Sequence, residues 1–176
     1  LHVCDRNLEE IEPEKIESTD NLLVDVLLAA KYEGDSIINN YPDNRDKKEG
    51  ICTALARSFA DIGDIVRGKD LYLGDDEEKR RLEDKLKKYF KELHNHLELR
   101  SKNHYQSNDT NYFELREDWW ELNRLDVWKA MICKAPGNAQ YFRNTCSEGT
   151  SRTPGKCECI THDVPTYFDY VPQFLR

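Results

Sequence analysis

Six cysteines in 176 residues constrain this chain more than any other feature, because Cys133, Cys146, Cys157 and Cys159 crowd into 27 positions. Cys4 and Cys52 stand apart from that cluster. The stretch around it, Ala135 to Asp163, carries Pro136-Gly137, Gly149 and Pro154-Gly155 and has no hydrophobic period. Such a segment cannot bury much apolar area, so cross-links are needed to hold it down. An even cysteine count with one dense, loop-rich cluster predicts a disulfide framework formed in an oxidising compartment. The rival is a zinc site closed by four thiolates. Zinc ribbons pair their ligands as C-x2-C, whereas only Cys157 and Cys159 are close here, as C-x-C. The reading is therefore disulfides, with no metal and no cofactor.

The rest of the chain predicts helices. Asn21 to Lys31 (NLLVDVLLAAK) is apolar nearly all round, with Ser18, Thr19 and Asp20 as cap candidates, and reads as a helix buried on most faces. From Lys48 to Val66, the residues Ile51, Leu55, Phe59, Ile62 and Val66 share one face, and Gly68 stands where a C-terminal cap belongs. Gly63 inside this helix predicts close approach of another backbone. A third helix opens on Asp75, Asp76, Glu77 and Glu78, where the helix dipole favours anions, and should end near Arg100. Its stripe is Leu82, Leu86, Tyr89, Phe90, Leu93 and Leu97. Ser101 to Asn111 is polar and aperiodic, a mobile loop by this reading, and includes the glycosylation triplet Asn108-Asp109-Thr110. A fourth helix, Phe113 to Ile132, carries Trp119, Trp120 and Trp128, of which at least two should pack inward. In the tail, Pro165 suits a first helical position, and Pro172 should kink or interrupt the chain after Tyr170. The class is mainly α.

Chemistry is sparse. Ser58 has no glycine elbow and nothing ties it to a histidine. His94 and His96 point about 200° apart on a helix, and His94 with Glu98 makes only two of the three or four ligands a metal needs. Asp61 and Asp64 could pose as a carboxylate pair, but neighbours three or four apart on a helix more readily bind a cation such as Arg57 or Arg67. Arg67-Gly68-Lys69-Asp70 reads as a turn. No phosphate loop or dinucleotide fingerprint is present, and no site supplies a nucleophile, base and orienter together. The chain reads as no enzyme.

The net charge of −8 argues against nucleic acid as a partner. Against that acidic background, Glu77 to Lys102 holds nine Lys/Arg and six Asp/Glu, a local net charge of +3. Lys79, Arg80, Lys87 and Lys91, with Arg81, Lys85 and Lys88 close by, could present amines to a sulfated glycan, sialic acid or an acidic protein. The plainer alternative is a solvated helix laced with ion pairs such as Glu83–Lys87 and Asp84–Lys88.

Five strings occur in order: LHVCDRNLE, LAAKYEGDSI, ICTALARSFADIGDIVRGKDLYLG, LREDWWELNRLDVWKAM and DVPTYFDYVPQFLR. Together they resemble the alpha class of the Duffy-binding-like domain, found in the erythrocyte membrane protein 1 family of Plasmodium falciparum. The resemblance covers nearly the whole chain. It implies packed long helices, stapled by disulfides, with irregular exposed loops at 101–111 and 135–163 that vary under antibody pressure. It also implies residues 1–176 as an incomplete domain: the end of a first subdomain and most of a second, with the third absent. Leu1 in place of an initiator, with no leader and no apolar run of about 18 residues, fits an excised fragment whose signal or anchor lies elsewhere.

The implied function is adhesion, from the outer face of the infected erythrocyte, within a larger single-pass membrane protein. Implied partners are an erythrocyte or endothelial receptor, a sulfated or blood-group glycan, antibodies and a neighbouring cysteine-rich interdomain region. The alternative is a structural head segment that positions that region and binds nothing itself. Leucine at position 27, where many members carry cysteine, puts the cross-link map in doubt. The pairing expected from the resemblance is Cys52 with Cys133, with a bond among Cys146, Cys157 and Cys159, and Cys4 paired upstream.

Overall fold

The computed structural model of the chain describes residues 20–41, 48–71, 77–105 and 109–176. The architecture is mainly helical: α1 (Asp20–Asn40), α2 (Lys48–Arg67), α3 (Glu77–His96), the short α4 (Leu99–His104) and α5 (Phe113–Met131). Two single 3-10 turns come after them, Phe168–Tyr170 and Gln173–Leu175. No strand is present among the described residues, only the isolated bridges Cys146–Ser151 and Gly155–Glu158.

α5 is the central element, packed against α1, α2 and α3. Its three tryptophans all turn inward, at 4%, 0% and 1% exposure for Trp119, Trp120 and Trp128. Phe59 of α2 meets Trp120 and Trp128 with ring centroids 5.1 and 5.3 Å apart, and Phe90 of α3 meets Trp119 edge-on at 6.2 Å. These tilted and edge-to-face pairs add to the area each ring buries. The predicted stripe of α2 is buried throughout, from Ile51 to Val66, and so is that of α3 from Leu82 to Leu93. Leu97 lies just past the end of α3 and is only partly buried.

Several expectations change in physical detail. α1 runs to Asn40, well past Lys31, and Gly34 in its extension lies so close to α5 that a Cβ there would collide with the Met131 carbonyl. One side of α1 is buried (Leu22, Val26, Ala29, Ala30), but Val24 and Tyr32 are about half exposed, so the helix is amphipathic rather than enclosed. Ser18 and Thr19 lie outside the described residues. Gly63 does mark a close approach, but by a side chain: a Cβ there would stand 2.7 Å from Cζ2 of Trp120. The first part of the expected loop, Ser101 to His104, is helical, within a separate short helix Leu99–His104, and Tyr105 after it donates to Asp118 of α5 at 2.7 Å. Burial and that carboxylate push the Tyr105 phenol up to about 12. Pro165 opens no helix; the turn begins at Phe168, and Pro172 precedes the second turn instead.

Helix ends are satisfied locally. Gly68, at φ +72°, closes α2 with its N–H donating to Ile65 O, while Lys69 N–H donates to Asp64 O. A left-handed residue at this point suits glycine because it lacks a Cβ. Asp109 receives the N–H groups of Asn111 and Phe113 at 2.9 and 2.7 Å, pinning the start of α5.

Candidate binding face

α3 owes its orientation to an ion pair that local sequence pattern does not announce. Arg116 of α5 is fully buried and grips Glu83 with a two-pronged fork, both N···O distances being 2.8 Å. The same guanidinium donates to the carbonyls of Val66 and Ile65 at 2.7 and 3.2 Å, so it also caps the last turn of α2. One side chain thus ties three helices. A bidentate guanidinium is the group whose planar donors can serve a carboxylate and carbonyls together.

With Leu82, Glu83, Leu86, Tyr89, Phe90 and Leu93 turned inward, the outer side of α3 is fixed by geometry. At about 100° per residue, Arg80, Lys87 and Lys91 fall within a sector about 40° wide and span about 16 Å along the axis. Arg81 and Lys88 lie further round the same exposed side, with Asp84 between the two groups. Lys79 points elsewhere and is held by Asp70 at 3.2 Å. Lys85 is half-buried on the far edge of the helix. The seven predicted cations therefore divide: five share the outer side, and Lys79 and Lys85 do not.

The predicted ion-pair lacing is corrected. Glu83 is turned into the core toward Arg116 and does not pair with Lys87, and no Asp84–Lys88 pair forms. Among the described residues, Arg80, Lys87, Lys88 and Lys91 make no ion pair, and Arg81 has only the exposed pair with Glu77 at 2.6 Å. An exposed pair of that kind contributes little.

The other singled-out residues serve structure. Ser58 donates to buried Glu33 at 2.7 Å, joining α2 to α1. Asp64 binds Arg67 at 3.1 Å as expected, while Arg57 is replaced by Arg176, which reaches both Asp61 and Asp64 from the C-terminal strap, residues 164–176. Burial raises both carboxyls above the usual aspartate range, and the Arg176 charge opposes the rise. Asp169, on the strap, accepts from Trp120 Nε1 at 2.9 Å and from Arg124 at 2.7 and 2.9 Å. No group of three or more metal-ligating side chains occurs among the described residues.

The cysteine pairing needs correction as well. Cys52 joins Cys157, and Cys146 joins Cys159. Cys133 is free and exposed at the end of α5, so it is not the partner of Cys52. The first bond fastens the irregular segment to the middle of the helical core. Cys4 lies outside the described residues.

Two kinds of comparison decide the kinship. The family model described as Duffy binding domain matches residues 1–176. The chain belongs to this family. A crystal structure of the NTS-DBL1(alpha-1) domain of Plasmodium falciparum membrane protein 1 (PfEMP1), from the varO strain, is 47% identical over 99% of the chain, with a TM-score of 0.86. A DBLβ domain of PfEMP1 bound to human ICAM-1 is 34% identical over 98%, with a TM-score of 0.75. An ICAM-1-binding PfEMP1 DBLβ domain is 33% identical over 99%, at 0.72. The chain is thus a PfEMP1-type Duffy-binding-like domain sequence, and it spans 40%, 36% and 39% of those three solved chains. No curated protein sequence matches it.

Proposed function

We propose that this Duffy-binding-like chain is part of a host-cell adhesion module, displayed outside the infected erythrocyte, and that the outer side of α3 contacts an acidic or sulfated group of the host receptor. The observation that carries this reading is the cluster Arg80, Arg81, Lys87, Lys88 and Lys91, on the outer side of a helix whose inner side is locked, within a chain of net charge −8. A rigid helix presents charges without the ordering cost that a loop would incur on binding. The partners named for the DBLβ relatives support a receptor role for the family in general.

Rosetting through a sulfated or blood-group glycan is the finer form of this proposal. The second reading, a head segment that positions a neighbouring cysteine-rich region, draws on the acidic net charge. Binding of the complete domain to intact and heparinase-treated red cells separates them. Binding lost on the treated cells, and lost again when Arg80, Lys87 and Lys91 become alanine, supports the first. No binding to any cell supports the second.

A further inference from the structure

The adhesion reading needs cations that are not already neutralised by their own helix, and Lys87 is one to which the sequence offers such a partner. Glu83 lies one turn before it, in the Glu-then-Lys order that favours an i, i+4 pair. At about 100° per residue the two lie only about 40° apart around α3. An unconstrained helix of this sequence would join them. In the folded chain Glu83 is turned inward, with its carboxylate held on both oxygens by Arg116. Lys87, half-buried at the rim, has no ion-pair partner among the described residues.

We infer that Arg116 is a positioning residue for the outer side of α3: by withdrawing Glu83 into the core it leaves Lys87 available to an external anion. Arg116 never touches the partner. Its fork decides whether the column Arg80–Lys87–Lys91 offers three uncompensated cations or two. This inference extends the adhesion reading and rests on it for its biological consequence, but the charge arrangement itself can be tested without any ligand.

The experiment is competitive acetylation of the folded chain with limiting reagent, reading Lys87 against Lys91 by peptide mass spectrometry. A salt-bridged amine reacts more slowly because its proton is held. In Glu83→Gln the Lys87:Lys91 ratio should equal that of the parent, since Glu83 is already engaged elsewhere. In Arg116→Met the released carboxylate should reach Lys87, and the ratio should fall about two- to fivefold, the range of an exposed helix pair.

In the double variant Glu83→Gln/Arg116→Met the ratio should return to the parent value. A merely structural role for Arg116 would give no such return. The double variant leaves no buried charge without its partner, the condition that makes Arg116→Met costly, so it and Glu83→Gln decide the matter where Arg116→Met fails to fold. A rise in Lys87 reactivity in Glu83→Gln, or a fall that persists in the double variant, would overturn the inference. Heparin retention of the same proteins separates the two layers. If no protein is retained while the acetylation ratios behave as stated, the adhesion reading fails and the Arg116 assignment stands.

Discussion

The helical layer and the segment from Ile132 to Asp163 are held by different physics. In the helices, regular periodicity lines up apolar side chains, and α5 with three inward tryptophans meets α1, α2 and α3. The C-terminal segment has few such residues and many turns. It is fastened by Cys52–Cys157 and Cys146–Cys159, by the backbone bond from Cys157 N–H to Ala139 O, and by the Trp128 indole donating to Cys157 O. Five non-glycine residues between Ser147 and His162 sit at positive φ. A chain forced through so many unfavourable turns needs covalent closure where the helices need only burial.

The largest effect that can break this contrast is loss of the longer bridge. Replacing Cys52 and Cys157 together by alanine removes a cross-link spanning 105 positions. The chain-entropy account puts that near about 4.7 kcal/mol. Urea unfolding should show most of the domain's stability gone, whereas a loss below about 1 kcal/mol would mean that burial alone holds the segment.

Next comes Arg116→Met, which breaks the buried pair with Glu83 at a cost of up to about 3–5 kcal/mol, less what the released carboxylate regains by turning out to Lys87. Thermal melting should report it, with most of the loss recovered on adding Glu83→Gln. Removing Cys146 and Cys159 opens a loop spanning only 13 positions and should cost about 3 kcal/mol. Hydrogen exchange should rise locally at 146–159 and leave α2 and α5 protected; exchange rising in α5 as well would erase the distinction between the two regions.

The smallest effect concerns pH. Asp61 is raised by burial, so the folded state holds its proton above pH 3.8 more than the unfolded state does. Stability from this group is present at low pH and falls as pH rises through that window. Relative to the parent, Asp61→Asn should therefore be least favourable near pH 3 and gain as pH approaches about 7. Melting curves at both ends of the range would show the opposite drift if the Arg176 attraction outweighed desolvation.

Much of the fold was legible because helix periodicity is local. Ile51 to Val66 and Leu82 to Leu93 announce their inner faces, and Lys48, Phe113 and Gly68 mark helix boundaries correctly or within a residue. The features that stayed hidden depended on distant partners. The continuation of α1 past Gly34 reflects its seat against Met131, and the helical turn at Leu99–His104 is anchored through Tyr105 on Asp118. The resemblance supplied the wrong partner for Cys52 because nothing local distinguishes Cys133 from Cys157; the fold brings only the latter beside α2.

At the candidate site the cations were visible as a charge run, but their sorting was not. Lys79 goes to Asp70, and Glu83 goes to a guanidinium 33 positions away. Ion-pair lacing along α3 was a sound local expectation that tertiary structure overrode.

The functional account turns on whether the outer rim of α3 grips an anion. Retention on immobilised heparin, with the parent chain beside a variant in which Arg80, Lys87 and Lys91 are alanine, measures that most directly. The account predicts a clearly retained parent and a variant that elutes at markedly lower salt with its helix content intact. Equal elution of the two proteins would contradict it.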